Sequence, residues 1–207
     1  SGWPYRRLRR VWFDHTWSNC PFMTPGSEMQ LTAALFENFT IFDPADWIPA
    51  MLDLAGLPYP AQRVSAANWG YEILDAPSKK LADVAIHYRD ADGEGIIVVE
   101  AKKKGGALKP TDGDPASYLD LEAFAWAPRR QLVYLIDESD RAAVAAAVTD
   151  SYARSGILSW QQLGGLQNTL AQRLPCGEEL RAFVAGAIQH QFLSLDILPS
   201  VLCADYL

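Results

Sequence analysis

The segment LADVAIHYRDADGEGIIVVEAKKK, residues 81–104, decides the fold of this chain. Leu81–Tyr88 mixes alternating polarity with β-forming residues, and Gly95–Ala101 is a run rich in isoleucine and valine. Both stretches are therefore predicted to be β-strands. The residues between them contain an Asp-Gly pair, which is a strong hairpin signal. We therefore predict an antiparallel hairpin over this segment.

Three charged residues lie within this hairpin. Glu100 and Lys102 are two positions apart, so their side chains point to the same face of the strand. The position of Asp83 depends on the register. A turn at Asp92-Gly93 places Asp83 opposite Lys102, and a turn at Ala91-Asp92 places it opposite Glu100. Either two-residue turn brings the three side chains together, whereas a three-residue turn moves Asp83 to the other face.

The chemistry of such a cluster is specific. Charged groups inside a strand are costly to bury unless they are paired or bind a metal. Two carboxylates and the adjacent main-chain carbonyl of Ala101 form a set of hard oxygen ligands, which suits Mg²⁺ or Mn²⁺. A lysine beside the metal can position or activate a water and neutralise charge on a phosphorane-like transition state. The set suits hydrolysis of a phosphodiester bond.

The motifs Ala82-Asp83-Val84 and Glu100-Ala101-Lys102 resemble the signature of the PD-(D/E)XK nuclease superfamily. The amino-acid sequence of the hairpin is also similar to the nuclease region of type I restriction subunits. The resemblance spans about residues 27–136. The sequence departs from the pattern at Ala82, where the superfamily usually has proline.

The resemblance implies a restriction-endonuclease-like α/β fold. Its αβββαβ core is a mixed central sheet flanked by helices, here with extra C-terminal helices. It also implies Mg²⁺ or Mn²⁺ as cofactor and DNA as substrate, with RNA as the alternative. Dimerisation or a partner subunit is common in the superfamily.

Three further site residues are candidates, two from the resemblance and one from strand alternation. The superfamily often adds an acid from the first helix. Glu28 lies on the apolar, inward face of that helix by its 100° periodicity, and Glu37 lies on the outward face. Lys104 shares the face of the site if the strand continues, so it is a candidate phosphate contact. Tyr118 is the best match in the next helix, where the usual glutamine is missing. Each has a structural alternative: a helix-dipole acid, a solvated strand end and a half-buried tyrosine.

Reserve candidates are weaker. Glu72 and Asp75 are alternative metal ligands if the hairpin register is wrong. His87 shares a strand face with Asp83 and could flank the site, although an ordinary strand histidine is the simpler interpretation. Lys103 points away from the site if the strand continues.

The remaining elements follow from periodicity and from capping and turn residues. Predicted helices cover Ser27, as N-cap, to about Phe39, Pro44–Ala55, Pro115–Ala127, Arg141–Arg154, Ser159 or Trp160 to Arg173, and Gly177–Leu195, and predicted strands cover Tyr71–Leu74 and Gln131–Ile136. The last helix has an apolar stripe, interpreted as core, that comprises Leu180, Phe183, Val184, Ala187, Ile188 and either Gln191 or Phe192. We predict a basic and aromatic arm over residues 1–24, a nuclease-like core over 25–150 and a helical extension packed on the core over 151–207.

Composition and charge limit the classes of protein to which the chain can belong. The chain has 207 residues, 49% of them hydrophobic, and no apolar run approaches the roughly 20 residues of a membrane span. No signal peptide is recognisable, and an odd set of three cysteines fits a reducing compartment, so we expect a cytoplasmic protein. The net charge is −7, yet residues 1–10 carry four arginines and no acid. We therefore expect weak, salt-sensitive binding to nucleic acid.

A second function stays open from the sequence. The chain could be a non-catalytic module that keeps a nuclease-like fold and binds protein or nucleic acid. The intact set of Asp83, Glu100 and Lys102 favours the enzyme, because a site without a function would be free to lose charged strand residues.

Overall fold

A computed structural model describes residues 28–150 and 153–194. This part of the chain contains six α-helices and five β-strands, and short 3₁₀ segments occupy Asn38–Ile41, Glu122–Phe124 and Glu138–Asp140. The helices are α1 Glu28–Glu37, α2 Pro44–Leu54, α3 Ala116–Leu119, α4 Arg141–Ala147, α5 Trp160–Gln172 and α6 Glu178–Ser194. The strands are β1 Ala66–Leu74, β2 Leu81–Asp90, β3 Gly93–Ala101, β4 Arg129–Ile136 and β5 Ser155–Ser159.

The strands form one mixed sheet in the order β1-β2-β3-β4-β5. The first three strands are antiparallel neighbours, and β4 and β5 add to β3 in parallel. Helices α1, α2, α5 and α6 pack on one face, where one apolar core forms. Helices α3 and α4 lie over a second apolar core on the other face. The α/β class and the mixed sheet flanked by helices are therefore confirmed.

The hairpin register follows the second of the two possible turns. Asp90 pairs with Gly93, so Ala91 and Asp92 form the two-residue turn. Gly93 has a φ of +119°, a conformation that residues with a side chain rarely adopt. The carboxylate of Asp90 accepts a hydrogen bond from the Asp92 N–H at 2.9 Å and receives the Arg129 guanidinium through two bonds of 2.7 Å. The turn is thus fixed both locally and from β4.

Strand β1 changes face at Glu72. This residue has a φ of +48°. The side chain of Tyr71 before it joins the core under α1 and α2, and the side chain of Ile73 after it joins the opposite core. Two residues of a regular strand two positions apart would share a face. The left-handed residue therefore reverses the alternation beside the position of Asp83.

Two predicted helices are shorter than expected. In place of a helix over Pro115–Ala127, α3 ends at Leu119 because Leu121 is extended, with a ψ of 141°. The Ala123 N–H then bonds the Asp75 carboxylate at 3.1 Å, which holds the following 3₁₀ turn. Helix α4 ends at Ala147 because Val148 is also extended. A tertiary contact and an extended residue override the helical periodicity in these two places.

Strand β5 was missed by the sequence analysis. It has five residues and lies directly before α5, where Ser159 begins the helix with a capping box to Gln162. The Ile157 N–H bonds the Ala55 carbonyl at 3.2 Å, so β5 also contacts the end of α2. Gly156 allows this approach, since a Cβ there would lie 2.1 Å from the Ala55 oxygen.

A glycine-to-alanine pair tests the placement of β5. We expect Gly156→Ala to lower the free energy of unfolding by about 2 kcal/mol, because the new methyl group must displace the main chain of α2. Gly186→Ala is the control, because nothing lies within 4 Å of the added methyl group. It should stabilise α6 by about 0.5–1 kcal/mol through helix propensity. Urea denaturation measures both, and equal stabilities would contradict the placement.

The predicted core stripe of α6 is wrong in its first half. Leu180 and Phe183 are 53% and 72% exposed, and Ala187 is also exposed. The buried contacts come from the second half of the stripe, where Ile188 and Phe192 are 4% and 3% exposed. The Phe192 ring lies against Gly164 of α5, where a Cβ would meet it at 2.8 Å. The glycine that weakens α5 in isolation therefore determines which face of α6 packs.

Helices α5 and α6 contribute to the same apolar core as α1 and α2. The division into an arm, a core and a C-terminal extension stays a prediction. Its arm, residues 1–24, and the N-terminal cap at Ser27 lie outside the described residues. Within residues 28–150 and 153–194, no helix is both long enough and apolar enough to cross a membrane.

Candidate active site

The candidate site lies at the ends of β2 and β3. The register that pairs Val84 with Val99 places Asp83 opposite Glu100 one step further. The Asp83 carboxylate accepts a hydrogen bond from the Ala101 N–H at 2.7 Å. The Asp83 side chain therefore accepts the Ala101 N–H, which would otherwise continue the main-chain hydrogen bonding between β2 and β3. The two carboxylates and the main chain of Ala101 come together at this point.

Glu100 and Lys102 form an enclosed ion pair. The Lys102 ammonium bonds Glu100 Oε1, and the two side chains are only 17% and 6% exposed. The main chain of Lys102 is held on both sides, since its N–H donates to the Leu135 carbonyl at 2.8 Å and its carbonyl accepts from the Trp160 indole at 2.9 Å. The sequence prediction that Asp83, Glu100 and Lys102 converge agrees with this geometry.

The charges of the cluster perturb one another. Burial and the charge of Glu100 raise the pKa of Asp83 to about 7, against the lowering effects of the Ala101 N–H and of Lys102. Burial alone would lower the pKa of Lys102, but the charge of Glu100 and the bond to it outweigh burial and raise that pKa. Lys102 therefore stays an ammonium at neutral pH. The site has more negative charge than one lysine neutralises.

The titration of Asp83 predicts a pH-dependent effect of Asp83→Asn. As pH rises from about 4 to 7, the unfolded chain loses the proton of Asp83 while the folded chain retains it, so wild-type stability falls. The asparagine removes this loss. We expect the stability gained by the variant to be about 2 kcal/mol larger at pH 8 than at pH 4.5.

Urea denaturation in EDTA at the two pH values measures this gain. Glu179→Gln is the matched control, because Glu179 is exposed on α6. Its effect should be the same at both pH values. A gain for Asp83→Asn that does not change with pH would contradict the buried, charge-coupled position of Asp83.

Glu28 lies at the edge of the site. Its Oε1 accepts a hydrogen bond from the Lys103 N–H at 3.3 Å. Its charge also contributes to raising the pKa values of Asp83 and Lys102. Glu28 is thus close enough to act on the cluster electrostatically and is anchored to the main chain next to it. The expectation that Glu37 faces outward is wrong, because Glu37 accepts a bond of 2.8 Å from the buried Tyr71 hydroxyl.

Tyr118 lies inside the site rather than on its surface. It is 2% exposed, and its hydroxyl is within hydrogen-bonding reach of the Glu100 carboxylate. Burial, the charge of Glu100 and this hydrogen bond raise the pKa of Tyr118 well above its usual value, so the phenol stays a donor. Its place in α3, over the end of β3, brings it to Glu100.

The sequence analysis missed Lys80 beside Tyr118. The Lys80 ammonium lies 3.7 Å from the centre of the Tyr118 ring, donates to Ser117 Oγ at 2.7 Å and pairs with Asp112 at 3.3 Å. A second hydroxyl, from Tyr134, donates to the Asp112 carbonyl at 2.7 Å. Lys80 precedes β2 and Asp112 lies in a loop, so no strand or helix period could have placed them together.

Lys104 does not lie on the strand face that the sequence predicted. Strand β3 ends at Ala101 and the chain turns, with the Gly106 N–H bonded to the Lys103 carbonyl at 2.8 Å. Lys104 is exposed. Burial raises the pKa of Asp137, but hydrogen bonds from Ser139 and Gln161 and the charge of Lys104 lower it overall. Lys104 is thus an exposed cation beside the end of β4.

The reserve candidates have structural partners. Asp75 accepts bonds from the Ser78 hydroxyl and N–H at 2.6 and 3.0 Å, which is the pattern of a turn cap. His87 packs edge-on against Trp126, with ring centres 4.9 Å apart, and lies 3.7 Å from Glu94. Glu72 takes the left-handed conformation already described. None of these contacts involves the carboxylates of the site.

The oxygen donors of the site determine which cation it can hold. Among residues 28–150 and 153–194, no three histidine, cysteine, aspartate or glutamate side chains form a common ligand group. A cation at Asp83 and Glu100 would therefore be completed by a main-chain carbonyl and by water, which is how Mg²⁺ is usually bound. The mutual repulsion that raises the pKa of Asp83 is what a cation between the carboxylates would relieve. The residues fit Mg²⁺ or Mn²⁺.

Comparisons with known proteins gave no match. A scan against protein-family models, a search of curated protein sequences and a search of solved structures each found nothing similar to the chain.

Proposed function

We propose that the protein is a metal-dependent nuclease that hydrolyses phosphodiester bonds. The observation that carries the proposal is the convergence of Asp83, Glu100 and Lys102 at one end of the sheet, with the two carboxylates opposite each other. Two acids and a lysine held largely away from water are costly as a purely structural cluster. A role in binding a cation and a phosphate accounts for all three charges.

The order of elements supports the restriction-endonuclease-like core that the sequence resemblance implies. Helix α1 precedes three antiparallel strands, and a short helix then leads to β4, which lies parallel to β3. Helices α2 and α4 and strand β5, with α5 and α6, would be additions to that core. In the proposed assignment, the acidic motifs occupy the second and third strands of the core, as the resemblance implies.

In this proposal, each residue of the cluster has one role. Asp83 and Glu100 hold the cation, with the Ala101 carbonyl as a further oxygen ligand. When bound, Mg²⁺ or Mn²⁺ would supply Lewis-acid activation of the phosphate and a water of lowered pKa. Asp83 has to lose its proton to act as a ligand, so its raised pKa ties binding to neutral or alkaline pH.

Lys102 acts as a charged donor rather than as a base. Its raised pKa keeps the ammonium protonated. It can therefore orient the attacking water by donating a hydrogen bond to it, and it stabilises the negative charge that develops on the phosphate. The Trp160 indole and the Leu135 carbonyl fix the main chain of Lys102. The ammonium can therefore move only within the reach of its own side chain.

The outer residues differ in what they can touch. Tyr118 is buried, so we assign it to orienting Glu100 instead of contacting substrate. Glu28 adds negative charge at the edge of the site and holds the main chain of residue 103. Lys104 is exposed and can meet a phosphate that extends past the end of β3.

DNA is the proposed substrate, and RNA is the alternative. The chain is acidic overall, at −7, so binding should rely on the cation and on a few local lysines and be sensitive to salt. Such binding to nucleic acid is weak, so a homodimer or a partner subunit would supply additional affinity. A cytoplasmic location remains the expectation from the sequence.

Cleavage of supercoiled plasmid DNA tests the proposal. We expect nicking with Mg²⁺ or Mn²⁺ and none in EDTA, and loss of nicking in Asp83→Asn but not in Glu179→Gln. A single-stranded RNA of equal length distinguishes the two substrates. A protein that binds Mn²⁺ but cleaves neither nucleic acid would instead be the non-catalytic module.

A further inference from the structure

A groove lies between α2 and α5, next to the 3₁₀ segment that follows α1. Its volume is about 850 Å³. Its lining is largely apolar, with side chains such as Pro49, Leu54, Leu166 and Leu170. Ile41 and Tyr59 also line the groove and are 49% and 54% exposed. Large apolar side chains left exposed around a concave surface are typical of a site that another segment covers.

The rim of the groove is acidic. Asp46 and Asp53 are exposed on α2, two helical turns apart, and neither forms a salt bridge with another of the described residues. Asp43 is already paired with Arg63 at 2.5 Å. On the opposite helix, Arg173 is the basic residue of the lining. The groove therefore complements a segment that combines apolar side chains with positive charge.

We propose that residues 1–24 of the same chain, the basic arm, occupy this groove. The arm carries Arg6, Arg7, Arg9 and Arg10 and is rich in tryptophan, and it has no acid before Asp14. It thus combines the apolar side chains and the positive charge that an apolar groove with an acidic rim would accept. This assignment does not depend on the nuclease activity.

The connection is long enough for the arm to reach the groove. Helix α1 has 10 residues and the 3₁₀ segment has four, so Glu28 lies within about 25 Å of Ile41. Residues 11–27 can span up to about 55 Å when extended. A tether of this length gives an effective concentration in the millimolar range. The arginines held there would be withheld from nucleic acid, so the groove would compete with DNA for the arm.

Photo-crosslinking of the full chain tests the proposal. Trp12 is replaced by p-benzoylphenylalanine, which keeps an aromatic side chain, and the cross-linked peptides are identified by mass spectrometry. We expect cross-links within single chains to residues 41–59 and 161–175. Their yield should fall about fivefold in Asp46→Lys/Asp53→Lys and in about 0.5 M NaCl, because the attraction is electrostatic.

Two comparison proteins make the result decisive. Glu178→Lys/Glu179→Lys makes the same change in charge at the exposed start of α6 and should keep the wild-type yield. Thr169→Trp fills the groove without changing charge and should lower the yield. Cross-links that map elsewhere or join two chains would overturn the proposal, as would equal yields in the groove variants and the α6 variant. Thermal denaturation checks that each variant is folded.

Discussion

Lys102→Ala should lower the rate of metal-dependent cleavage about 1,000-fold, the usual magnitude for a positioned charge in a transition state. The ammonium of Lys102 is the cation that the chain itself places on Glu100, and its main chain is fixed by Leu135 and Trp160. An alanine leaves the two carboxylates in place. Binding of Mn²⁺ should therefore be kept or strengthened while the rate falls.

Single-turnover cleavage of a labelled duplex measures this effect. Lys103→Ala is the matched control, because it removes an exposed lysine from the adjacent position. Its rate should stay within about twofold of wild type, since an exposed charge contributes little. Circular dichroism verifies the fold. Wild-type cleavage by Lys102→Ala would remove the lysine from the mechanism.

Arg129→Ala should have the largest effect on stability, about 3–5 kcal/mol, because it leaves a buried carboxylate without its partner. The side chain of Asp90 has no exposed surface, and Arg129 also donates to the Gly93 carbonyl at 2.8 Å. Arg129 holds the pKa of Asp90 below its usual value. The contribution of the pair is present at neutral pH and is lost as the pH falls through the lowered pKa.

Urea denaturation at pH 7 compares Arg129→Ala with Arg89→Ala. Arg89 pairs with Glu94 from the adjacent position of the same hairpin but is 61% exposed, so its removal should cost less than about 1 kcal/mol. Equal costs for the two variants would show that Asp90 does not depend on Arg129. The hairpin register, and with it the position of Asp83, would then need another explanation.

The hairpin was predictable because its signals are local. The valine and isoleucine runs, the turn and the charges of Asp83, Glu100 and Lys102 lie within one short segment. The choice between two registers was not predictable, because Arg129 comes from β4, many residues away in sequence. The turn that occurs is the one in which Gly93 takes a positive φ and Asp90 meets Arg129.

The residues around the site were harder to predict from the sequence. Tyr118 was singled out by resemblance, but its burial against Glu100 follows from how a short helix packs on β3. Lys80 comes from a loop and Trp160 from the start of α5, so no period relates them to the motif. Strand β5 was missed for the same reason: its five residues become a strand only through β4 and the end of α2.

The prediction for Lys104 assumed that strand alternation continues beyond Ala101. A turn follows instead, and side chains after a turn no longer alternate between the two faces of the sheet. The stripe of α6 failed in its first half for a similar reason, since Leu180 and Phe183 obey helical spacing but are exposed, whereas Phe192 packs against Gly164. In both cases a correct local pattern did not determine which surface the rest of the molecule covers.

Calorimetric titration with Mn²⁺ at pH 8 tests the central claim most directly, because it addresses the site without requiring a substrate. Asp83 and Glu100 should bind Mn²⁺ with a dissociation constant of about 1 mM or tighter. Binding should vanish in Asp83→Asn and in Glu100→Gln and persist in Glu179→Gln. Absence of binding in the wild type, or equal binding in all four proteins, would contradict a metal site at the end of this hairpin.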